Sequence, residues 1–171
     1  MQTESRLAGS RFLENLAYIV PGYQGYKDPA NRREEDSRLR ARVLQRLAGV
    51  HASLSALITA AVGLDAAPNL IEPFAERIHR LDGIAEAVRY APYGFSGFFD
   101  ALDVREDSLE RILEADLLLF QDLDTLEEVA DRPSLPARSG ARRTAFLRQL
   151  DEAADALERH LILRDKILGD C

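Results

Sequence analysis

The residues of this chain that could do chemistry are few and far apart. Glu76 and His79 form a Glu-x-x-His pair, the spacing that turns two metal ligands to one side of a helix. A di-iron bundle needs that pair twice, with a glutamate from each of two further helices. Ala48 and Leu157 stand three positions before His51 and His160, so the second pair is missing and no cofactor is expected. Glu76 and His79 are then either ligands of a single ion, held together with a distant acid, or solvated positions beside Phe74 and Ile78. Asp116 falls among leucines. If it points inward it needs a partner and becomes a functional candidate; if the apolar stripe is tilted it is merely exposed. There is no Gly-x-Ser-x-Gly, no phosphate-binding glycine loop and no dinucleotide fingerprint, so no catalytic residue is assigned. The single cysteine, Cys171, is the last residue, which removes an intrachain disulfide and a cysteine metal cage.

A second kind of chemistry is offered by two aromatic, glycine-containing stretches. The first is Val20-Pro21-Gly22-Tyr23-Gln24-Gly25-Tyr26, and the second runs from Tyr90 to Phe99. With Tyr18 they hold eight of the twelve aromatic residues, so most of the ring surface is concentrated in two loops. A tyrosine joins an apolar ring to a polar tip, which suits a partner surface or a small-molecule pocket. Arg32 and Arg33 follow the first loop, where free helix N–H groups favour an anion. The expected partner-binding set is therefore Tyr23, Tyr26, Arg32, Arg33, Tyr93, Phe95 and Phe98. The competing reading is that these rings close one end of the fold and the glycines permit the turns.

Charge narrows the partners. The chain carries a formal −7, and residues 103–131 hold eleven acids against Arg105 and Arg111. Five arginines and no acid follow in residues 132–148. Those arginines either bind a phosphate or nucleic acid, or neutralise Glu127, Glu128 and Asp131 at the unfavourable end of a helix dipole. An acidic chain with no extended basic face argues against nucleic acid as the main partner. No apolar run reaches the ~20 residues that span a bilayer, and the N-terminus has no basic-then-apolar leader. A cytoplasmic protein is expected.

The elements that must position these groups are helices. Leu39, Val43, Leu47, Val50, Leu54, Leu57 and Ala61 recur at steps of three and four, the stripe of a helix that faces a core. Similar stripes predict main helices over about 29–64, 70–90, 103–131 and 141–168, with a short extra helix over 10–19. Asp28 reads as the N-cap of the first main helix and Pro29 as its first position. Pro73 is tolerated if it lies in a first turn. The Leu117–Phe120 run is too wide for one stripe, so its helix should have neighbours on two sides. The 171 residues fit one domain, and short connections predict an all-α, antiparallel up-down-up-down four-helix bundle. That topology brings both aromatic loops and the C-terminus to one end. The first main helix outruns the second there by about 20 Å, exposing its charged residues 30–42.

The segment Pro21-Gly22-Tyr23-Gln24-Gly25-Tyr26, followed by Arg32-Arg33-Glu34-Glu35-Asp36 and Leu39-Arg40, resembles an opening found in small bacterial helical proteins of unassigned function. The resemblance covers about twenty residues and implies no activity or ligand. The expectation is a non-enzymatic interaction or scaffold protein, with a protein partner or self-association through the aromatic end and the exposed helix. The alternative is a metal- or small-ligand-binding bundle, possibly an enzyme, using Glu76, His79 and Asp116 or His160.

Overall fold

The computed structural model describes residues 2–63, 68–91, 97–101, 104–131 and 140–170, with backbone only for 2–10, 68–70 and 97. All of its regular structure is helical: α1 Gln2–Ile19, α2 Arg32–Val62, α3 Pro68–Tyr90, α4 Gly97–Asp100, α5 Glu106–Ala130 and α6 Gly140–Gly169. None of the described helices is long and apolar enough to cross a membrane.

Periodicity becomes packing much as the stripes require. The seven predicted stripe residues of α2 are all buried, and they meet Phe74, Leu81, Ile84 and Val88 of α3 in one core. The broad apolar surface of α5 is shared among α1, α2 and α6, while α6 also contacts α3 and α4. Ion pairs fix the relative directions. Arg46 of α2 reaches Asp124 and Glu127 of α5, and Asp36 shares Arg164 with Asp116. Positions 36 and 46 thus advance alongside 116 and 124–127, so α2 and α5 run in the same sense. Arg77 and Arg80 of α3 pair with Asp151 and Asp155 of α6, again side by side in one sense. Asp116 and Asp122 of α5 meet Arg164 and His160 of α6 in opposite order. The directions of the main helices thus fall into two like-directed pairs, α2 with α5 and α3 with α6, and the members of each pair also touch.

Several boundaries differ from expectation. The N-terminal helix begins at Gln2, not near Ser10. The helix at 29–64 starts at Arg32, with Asn31 as N-cap and no side-chain cap bond. Asp28 instead accepts from the Ala30 N–H at 3.0 Å and from the Asn31 amide at 2.7 Å, closing a turn that leads into the helix. Because α3 opens at Pro68, Pro73 lies inside the helix and not in its first turn. Phe98 belongs to α4, which is separate from α5.

Candidate functional site

The loop between α1 and α2 has a shape that only its glycines allow. Gly22 and Gly25 adopt φ values of 80° and 77°, a region that side-chain-bearing residues rarely enter. A Cβ on Gly25 would also stand 2.9 Å from Leu13 Cδ1. Two successive reversals turn Tyr23 and Tyr26 inward, where their rings meet edge-to-face at 5.7 Å. Tyr26 packs in the same manner on Phe98 at 5.5 Å, which joins the two aromatic stretches at one end of the molecule.

Beneath these rings lies a buried polar centre. The Tyr26 hydroxyl donates to Asp116 Oδ2 at 2.8 Å and the Tyr23 hydroxyl to the same oxygen at 3.3 Å. Arg164 Nε donates to Asp116 Oδ1 at 2.6 Å, while its Nη2 reaches Asp36 Oδ1 at 2.5 Å and the Tyr26 hydroxyl at 3.1 Å. Arg40 holds the second oxygen of Asp36 at 2.8 Å. Asp116 and Arg164 are each 0% exposed. Burial pushes both tyrosines well above their ordinary range. Burial also raises Asp116, against the opposing pull of Arg164.

Around the centre the loop is tied down by backbone contacts. Arg32, itself buried, donates to the carbonyls of Tyr26, Phe98 and Ala101 at 2.8, 3.0 and 2.6 Å. Its guanidinium lies over the Phe98 ring, 5.2 Å from the centroid. The buried Glu35 carboxylate accepts the Gln24 N–H at 2.8 Å, and Arg38 donates to the Gly22 carbonyl at 2.6 Å.

The expected partner surface is therefore corrected in its main members. Tyr23, Tyr26, Arg32 and Phe98 come together, but as buried residues with none of their rings open to a partner. Arg33 sits on the rim, paired with Asp100 at 2.7 Å. Tyr93 and Phe95 lie outside the described residues. Tyr18 and Tyr90 are exposed, at 92% and 74%. Asp116 is the inward-pointing carboxylate; its partner Arg164, and Asp36 bonded to that same arginine, are not singled out as site residues from sequence. A signal for Arg164 existed: it is a charge in a row otherwise made of Leu157, Leu161 and Leu168.

Among the described residues the metal candidates do not come together. Glu76 is exposed and pairs with Arg77 at 3.0 Å, and His79 is exposed as well. Among the described residues no group of three or more His, Cys, Asp and Glu could hold a metal ion. His160 is instead bonded to Asp122. Arg132 and Arg138 lie outside the described residues, and Glu127 is paired with Arg46 of α2.

One surface stands apart. From Leu47 to Gly63 the chain contains no Asp, Glu, Lys or Arg. Ala48, Gly49, Ala52, Ala56, Thr59 and Val62 of this stretch are all exposed, and a Cβ on Gly49 would meet nothing within 4 Å. In a chain that is 30% charged, an uncharged exposed face of small residues spanning four helical turns calls for an explanation. No protein family, no curated protein and no solved structure matches this chain.

Proposed function

We propose that this is a non-enzymatic, cytoplasmic helical-bundle protein that works by docking, and that its docking face is the outer side of α2 from Ala48 to Val62. The observation that carries this reading is the uncharged, small-residue character of that exposed face. Small side chains let a second helix approach closely, and a surface without charge offers nothing to repel its own copy across a two-fold axis. The occupant we assign is the same face of a second molecule. The closed aromatic end supports this role indirectly, by holding the first half of α2 rigid so that the second half is presented in one orientation.

Light scattering on the eluting protein tests the proposal. The expected result is a dimer that dissociates on dilution. Because two copies of charge −7 repel at long range, association should strengthen as salt screens that repulsion. The double substitution Ala52→Glu with Ala56→Glu should give a monomer under all these conditions. A wild-type protein that stays monomeric at high concentration and high salt would overturn the reading.

A further inference from the structure

Arg164 is the one element of the buried centre supplied by α6, and it enters the others as a ligand enters a site. The oxygens it meets belong to three separate pieces of chain: Tyr26 from the loop, Asp36 from α2 and Asp116 from α5. Each oxygen is aimed from behind. Arg40 holds the far oxygen of Asp36, the two tyrosine hydroxyls hold the far oxygen of Asp116, and the Tyr26 ring is wedged between Tyr23 and Phe98. These acceptors approach two different nitrogens, Nε and Nη2, from different directions. A planar guanidinium presents donors in that fan, whereas an ammonium is a compact point charge that cannot span it.

We propose that Asp36, Asp116 and Tyr26 form a guanidinium-selective site, filled in cis by Arg164, which latches the last third of α6 to the closed end. The latch gives a role to the one charge in the leucine row, and beyond it Ile167 and Leu168 are buried as well.

The test is thermal unfolding of Arg164→Ala in tens of millimolar methylguanidinium chloride or methylammonium chloride at equal ionic strength. The variant should gain about 3 °C from a few-fold excess of methylguanidinium over its dissociation constant. Methylammonium should add nothing, and wild type should gain from neither. If the variant does not fold alone, the readout is its refolding yield, which should rise with methylguanidinium only. Equal responses to both cations, or no response to either, would overturn the site. Arg164→Lys tests selectivity separately: it should melt close to the alanine variant, and a lysine variant as stable as wild type would contradict the proposal.

Discussion

The two halves of α2 are one continuous helix built for opposite purposes. Residues 32–46 are rich in charge, and that charge is turned inward or tied to neighbours. Arg32, Glu35 and Asp36 are buried, Arg38 and Arg40 brace the loop and the polar centre, and Arg46 crosses to α5. Residues 47–63 bury the same kind of apolar stripe, yet their outer side has neither charge nor bulk. The difference teaches that burial pattern and surface pattern are written independently along a helix. The stripe at steps of three and four sets which side faces the core. The residues between decide whether the other side is clamped by the molecule itself or left open for another.

The comparison breaks most visibly in the clamped half. Arg164→Ala leaves Asp116 buried without its counter-ion, a loss of about 3–5 kcal/mol in unfolding free energy, which chemical denaturation will measure. Next in size is Gly25→Ala, which combines an unfavourable φ with a contact on Leu13. We expect about 1–3 kcal/mol, with a protease or exchange signature centred on α1 and the loop. In the open half, Ala52→Glu and Ala56→Glu should change monomer stability by no more than about 0.5 kcal/mol each while removing self-association. Smallest of all, Asp100→Ala breaks an exposed ion pair with Arg33 and should cost about 0.2 kcal/mol or less.

A pH titration sharpens the same contrast. The Asp116 carboxyl is raised by burial, so the folded chain takes up this proton at a higher pH than the unfolded chain, whose ordinary value is about 3.9. Within that window the folded state binds more protons, and the stability contributed by this group falls as pH rises. Wild type should therefore gain stability relative to Asp116→Asn as pH is lowered from neutrality toward 4. A gap between the two that narrows on acidification would mean that Arg164 outweighs burial.

Much of this architecture was legible in the residues. The stripe of α2, the two-sided surface of α5, and the meeting of both aromatic stretches at one end follow from periodicity and connection lengths. What could not be read was the sense in which aromatic and charged residues would be used. Tyr23, Tyr26 and Arg32 have the composition of a binding surface. Their burial depends on two positive-φ glycines that turn the rings inward and on partners from 66 to 93 positions away in sequence. That α2 would lie beside α5 was hidden too, because alternation along the chain sets helix directions and not which like-directed helices touch. The open face of α2 escaped notice for a different reason: its signal is an absence of charge, and periodicity looks only at the apolar side.

The most direct measurement places a spin label on each half of α2, with Cys171 replaced by serine so that the label is unique. Ala52→Cys lies on the uncharged face and Ser37→Cys on the exposed side of the charged half. The label at position 52 should become immobilised and show spin–spin broadening as protein concentration rises, while the label at position 37 stays mobile throughout. Sharp, mobile spectra from position 52 at every concentration, or broadening at position 37 instead, would contradict the proposed docking face.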